Sequence, residues 1–293
     1  MSDHQDFDIR VEFERGTGDP TRVFRAMAGL IESVQRMDAH LAAMLGASVR
    51  TTLVLQDIEA TSLKSRLRSI VEAVPDEPLQ QGEVKKLIGH FLVKGKHKIL
   101  DWCGDRKVIS DRAEVKQLEA DLDVLAHQSD IKLLPAYAPI DTPSLLADIA
   151  AVNHALVPLE QHDRATFTSL DGQSRYNPHL VVSEEVIRDI VTRERLSSTG
   201  ERILKVKKPD YLGTSMWGFR YGTHTIEAKI TDLPWLARFQ ANHEQVNPGD
   251  SLRVMLFEEV SYGYDNEVVH MEYEVREVLG VIRGAGGLQA GLL

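Results

Sequence analysis

The chain has one cysteine in 293 residues. A single thiol excludes an internal disulfide framework and any Cys-rich zinc site. Cys103, beside Trp102 at the end of an apolar segment, reads as a buried, inert thiol rather than a nucleophile paired with His97. None of the 11 histidines has metal-motif spacing such as HExxH. Long hydrophobic runs are missing too. The longest apolar tract, SLLADIAAVNHALVPL, is interrupted by Asp148, Asn153 and His154, too polar and too short to span a bilayer. The opening MSDHQDFDIRVEF has neither the basic nor the apolar stretch of a signal peptide. A reducing cytoplasm, with no membrane partner, is the expected setting. Positive charge is in deficit, 34 Lys and Arg against 44 Asp and Glu, for a net charge of −10. That balance argues against a protein that simply coats nucleic acid or anionic lipid. There are no internal repeats and no low-complexity linker.

What remains is an ordinary globular composition, 43% hydrophobic and 27% charged, over a length that fits two domains. FDIRVEFER alternates strictly, with Phe7, Ile9, Val11 and Phe13 on one face, which predicts a half-buried strand. Asp19 and Pro20 then supply an acceptor and a fixed φ at a helix start. Val23, Met27, Leu30, Val34, Met37, Leu41 and Leu45 follow at helical spacing. RTTLVLQDIE is a second strand. Residues 62–74 fit either a strand or a helix, with the outward alternation of basic residues favouring the strand. VPDEP at 74–78 is a break, and residues 81–165 read as helices.

From about residue 195 the period changes to two. ERILKVKK, SMWGFRYG, HTIEAKIT, SLRVMLFEEV and EVVHMEYEVREVLGVI are strand candidates, interrupted by one short helix, DLPWLARFQAN, capped by Asp232. The expected fold class is therefore α+β. A β-α-β domain occupies 1–78, a helical region 79–194, a small, mostly antiparallel β domain 195–284, and a flexible tail 285–293. The β domain is either barrel-like or a hairpin sheet. Trp217, Phe219 and Tyr221 alternate and form its core stripe, leaving Met216, Gly218 and Arg220 facing outward.

The C-terminal stretch SMWGFRYGTHTIEAKITDLPWLARF…NPGDSLRVMLF…YEVREVLGVI, together with the N-terminal segment ending in DIEATSLKSRL, resembles uncharacterised bacterial proteins of prophages and defence islands. The resemblance covers roughly half the chain and implies a shared fold and a host–phage context. Pro209-Asp210 followed by Glu227-Ala228-Lys229 is similar to the signature of the PD-(D/E)xK nucleases. That resemblance implies Asp210 and Glu227 as ligands of a Mg²⁺ ion and Lys229 as the residue positioning the attacking water, on a strand where residues i and i+2 share a face.

Three functions follow as expectations. The first is a non-enzymatic recognition or assembly subunit that binds a protein partner, or itself, through the helical region. Its motive is the segregated charge: ten basic and six acidic residues over 61–110, then five and eleven over 111–175. The second is a Mg²⁺-dependent nuclease with Asp210, Glu227 and Lys229. The third is a nucleic-acid-binding module using Lys205, Lys207, Lys208 and Arg220. Two further patterns read as surface. The lysines of KKLIGHFLVKGKHK (85–98) form a solvated helix end, and Asp57 with Glu59 form an exposed charged strand edge.

Overall fold

The computed structural model describes residues 5–14, 16, 18–45, 49–59, 63–73, 82–128 and 139–284. The expected break at 74–78 and the tail 285–293 lie outside these. The chain divides into two compact units, Met1–Ile190 and Val191–Leu293. The separate helical region expected from the sequence is instead part of the first unit, because its helices cover the sheet that the N-terminal strands begin.

In the first unit the elements run β1 (Asp6–Glu12), α1 (Thr21–Met44), β2 (Arg50–Glu59), β3 (Leu63–Ala73), α2 (Gly82–Cys103), α3 (Arg112–Gln128), α4 (Thr142–Leu156), β4 (Arg164–Ser169), β5 (Gly172–Arg175) and α5 (Glu184–Val191), the last crossing the unit boundary. The strands form one antiparallel sheet in the order β2-β3-β1-β4-β5. Residues 63–73 are thus a strand, as the outward basic alternation favoured. Phe7, Ile9 and Val11 of β1, with Leu67 and Val71 of β3 and Phe167 of β4, form a buried face. The other face bears charge pairs, Asp6–Arg68 at 2.5 Å and Asp8 with Arg66 and Lys64 at 3.1 and 3.2 Å. Alternation puts the two sets on opposite faces.

Helix α1 packs on β1–β3, α2 on β3 and β5, and α4 on α1. All seven residues of the expected α1 stripe are buried, and each large aliphatic among them contributes about 1.5–3 kcal/mol. Asp19 accepts from the Thr21 amide at 2.8 Å at the start of α1. A side chain on Gly29 would run into Ala155 of α4, 2.8 Å away, so this small residue permits the close approach of the two helices.

The hairpin β4–β5 falls where the sequence reading ended its helices. It turns at Leu170-Asp171, between the paired Ser169 and Gly172, and Gly172 sits at φ +141°. Among the described residues no helix is long and apolar enough to cross a membrane.

The second unit runs β6 (Glu194–Lys208), β7 (Trp217–Tyr221), β8 (His224–Ile230), α6 (Leu233–Gln240), β9 (Ser251–Tyr262) and β10 (Val268–Ile282). Its strands close into a barrel in the order β10-β8-β7-β6-β9. Only β8 and β10 pair in parallel. Five strands closed this way, with a helix after the third, have the Greek-key arrangement of the OB type. The β7–β8 hairpin has a two-residue loop whose Gly222 sits at φ +58°, the position that needs glycine. Asp232 caps α6 through the Trp235 amide and also accepts from Val278 of β10. Helix α6 thereby drives Trp235, Leu236 and Phe239 into a core with Trp217, Phe219, Leu252, Val254 and Leu256.

Candidate nucleic-acid interface

The barrel wall formed by β6, β7 and β8 carries most of the residues the sequence singled out. Trp217 and Phe219 are wholly buried, and Tyr221 is partly buried. Trp217 meets Phe239 edge-on at 4.9 Å and Trp235 at 6.0 Å. The aromatic stripe is core, so no base can stack on it.

On the outer side of the same strands, Lys205 stands opposite Arg220, and Arg220 opposite Thr225. Lys208 stands opposite Gly218, and Gly218 opposite Glu227. In a regular strand Lys207 and Lys208 would point to opposite faces. A register shift between Val206 and Lys208 makes Lys207 the extra residue of a bulge. Both lysines are therefore exposed, and Lys207 reaches Thr225 Oγ1 at 3.2 Å. Glu227 and Lys229 lie on the outside of β8, as two-residue spacing requires, with the inward Ile226, Ala228 and Ile230 buried. The outer face of β6–β8 thus collects Lys205, Lys207, Lys208, Arg220 and Lys229, with Glu227 among them, Glu274 of β10 beside Lys229 and Glu201 farther along β6. Gly218 leaves this face low, since a side chain there would press on Lys208 Cβ at 3.2 Å.

The loop from β6 to β7 borders this wall, and Asp210 organises it. One carboxylate oxygen accepts from the amides of Leu212 and Gly213 at 3.0 and 3.1 Å. The other accepts from the Ser215 amide and hydroxyl at 3.0 and 2.7 Å. The Ser215 hydroxyl, followed by these amides, holds the Asp210 carboxyl well below the usual carboxylate range. Asp210 is therefore an ionised loop clamp with both oxygens engaged, and a cation there would have to displace these donors. Among the described residues no group of three or more His, Cys, Asp or Glu is arranged to hold a metal ion. The clamped loop presents Tyr211, which stacks on Phe239 at 5.4 Å yet stays 57% exposed, together with Leu212 at 96% exposure. Sequence reasoning missed Tyr211 as a platform, although its place next to the Pro209-Asp210 turn was a signal.

The remaining candidates separate. The five lysines of 85–98 do not form one solvated end. Lys96 is wholly buried, bound to Asp38 at 2.6 Å and Ser69 at 3.0 Å. Its ammonium also lies 4.3 Å from the Phe7 ring centre. Lys98 pairs with Asp121 of α3 at 3.0 Å. His97 is held by the hydroxyls of Ser174 and Ser169 and does not pair with Cys103. Burial pushes the Cys103 thiol up to about 12, which keeps it protonated and inert. Asp57 follows a register shift after Leu55 and accepts from the Ile58 amide. The Glu59 side chain lies outside the described residues. Comparison with protein-family models, curated proteins and solved structures found no match.

Proposed function

We propose that the protein is a recognition module whose C-terminal barrel binds single-stranded nucleic acid across the outer face of β6–β8. One observation carries this reading: five basic side chains, three on the first strand of the barrel and one on each of the next two, share an outer face bordered by a loop that offers an exposed tyrosine. Barrels of the OB type bind oligonucleotides on this wall and through the loop joining their first two strands. A cationic groove beside an aromatic ring is what a sequence-tolerant strand binder needs. The net charge of −10 is compatible with a local basic face, because screening limits the reach of charge to about 8–10 Å. The host–phage context implied by the resemblance belongs to this proposal.

The expected protein-binding role rested on complementary charge in the first unit. Much of that charge is spent internally, as Lys96–Asp38, Lys98–Asp121 and Arg106–Glu114 pairs. A protein partner is favoured instead by a different feature. Leu196, Val260 and Met271 stand opposite one another across β6, β9 and β10, and Leu196 and Met271 are about half exposed.

The test is titration of the full chain with a labelled homopolymeric single strand and with a duplex of the same length. Saturable binding that prefers the single strand supports the proposal, and absence of binding to either removes it. If added Mg²⁺ produces cleavage that Glu227→Ala and Lys229→Ala abolish, the nuclease reading replaces it.

A further inference from the structure

The first half of β6 leaves one backbone edge of the barrel open. β6 pairs with β9 from Glu194 to Lys205 without a register shift, but with β7 only from Lys205 to Lys208. In the same register the Val206 amide donates to the Asp250 carbonyl at 3.0 Å. Alternation along an antiparallel pair then turns the N–H and C=O groups of the even-numbered residues toward β9. Those of Arg195, Ser197, Thr199, Glu201 and Ile203 point the other way, where no described strand pairs with residues 194–204. Glu194–Thr199 and Glu201 are exposed. Proteins blunt such edges with proline, lysine or a bulge. Residues 194–204 contain no proline and no lysine, and their ladder is unbroken. The open part of β10, Val268–Tyr273, does carry a register shift, between Val268 and His270.

The side chains along the β6 edge are self-complementary. ERLSSTGER, residues 194–202, places Glu-Arg at both ends of a polar centre. Laid antiparallel on a second copy about Ser198, Arg195 stands opposite Glu201, Glu194 opposite Arg202, Ser197 opposite Thr199 and Leu196 opposite Gly200. Each charge meets its opposite, and the hydrogen-bonded pairs fall on the outward-facing residues 195, 197, 199 and 201. Other registers lose this match. Centring on Thr199 sets Arg195 against Ile203, and centring on Gly200 sets it against Lys205. Opposite charges directly across a strand pair stabilise it, and like charges destabilise it. Within one chain Glu201 meets Arg253 only at 3.7 Å and Glu194 meets Arg193 at 3.6 Å, exposed pairs that are worth little. Arg202 holds Glu258 at 3.2 Å, and its guanidinium has further donors for a second carboxylate.

We propose that two copies of this chain dimerise by pairing β6 with β6 about a two-fold axis at Ser198, forming a sheet that runs β10-β9-β6-β6-β9-β10. The dimer requires no ligand, so its test is separate from nucleic-acid binding. The experiment is sedimentation velocity of the full chain from about 1 to 200 μM, since a single strand edge is a small interface and a dissociation constant in the micromolar range is expected. Arg195→Glu brings like charges together at both ends of the pairing, and Glu201→Arg does the same. Each variant alone should dimerise at least about tenfold more weakly. An equimolar mixture of the two should dimerise as wild type, because every acidic position then faces a basic one. Thr199→Pro removes an N–H that points away from β9, and should abolish the dimer while leaving the melting temperature of the monomer nearly unchanged. The proposal is overturned if the chain stays monomeric throughout, or if the mixture associates no better than its components. A dimer that Thr199→Pro leaves intact is held elsewhere and overturns it equally.

Discussion

The two units solve the problem of a core in different ways. The barrel is filled with aromatic and aliphatic side chains around Trp217, and Asp250 and Ser261 are its buried polar residues among those described. The first unit threads charged and polar groups through its interior: Lys96 with Asp38 and Ser69, Arg22 with Asp163, Glu119 with Thr142, and His40 with Asp148. An apolar core gains stability from area and is indifferent to pH. A polar core gains little net stability from each pair but suffers heavily when one partner is lost. The first unit is therefore specified by matched partners, and the barrel by volume.

The largest effect expected from this contrast is at Lys96. Lys96→Met leaves Asp38 buried and uncompensated, and should cost about 3–5 kcal/mol in denaturant unfolding. Adding Asp38→Asn should recover most of that loss. In the barrel, Trp217→Ala should cost a similar 3–5 kcal/mol, but with no second-site change of charge able to restore it. If Lys96→Met alone were nearly neutral, the contrast would fail.

A smaller effect sharpens it through pH. Burial raises the Asp148 carboxyl to about 6, against the hydrogen bond from His40. A folded value above the unfolded 3.8 contributes stability below about pH 4 and loses it as pH rises through 6. Asp148→Asn removes this dependence. Relative to wild type it should therefore gain about 2–3 kcal/mol between pH 4 and 7, read from unfolding midpoints across that range. A constant difference would contradict the assignment.

Least costly should be Asp210→Ala. The fold persists, while amide exchange at Leu212, Gly213 and Ser215 accelerates as their acceptor disappears. Unchanged exchange would show that the loop does not depend on this carboxylate.

How much of this was readable in the sequence differs by element. Helix α1 and strands β7–β9 announce themselves because their apolar residues keep a strict period. The hairpin β4–β5 does not: RATFTS and GQSR are short, and only Ala165, Phe167 and Ser174 turn inward. The first half of β6 is also silent, since residues 194–199 are exposed on both faces and are held by pairing with β9. Lys96 was misjudged as surface because lysine usually is. Yet Leu92, Val93, Ile99 and Leu100, at three and four residues on either side, are all buried. Asp38 sits the same way among Val34, Leu41 and Ala42. Polar residues in core register on two helices were the signal for a buried pair. The basic wall was legible as a set of residues, but its convergence depended on the bulge at Lys207, which no local pattern marks.

The most direct test of the barrel's proposed role is the salt dependence of single-strand binding, measured by fluorescence anisotropy for wild type and for Lys205→Gln combined with Arg220→Gln. Five phosphate contacts predict a slope of log K against log salt of about −3.5, and the double variant should reduce its magnitude by about 1.4, roughly 0.7 for each lost contact. A slope near zero, or a double variant indistinguishable from wild type, would contradict the account.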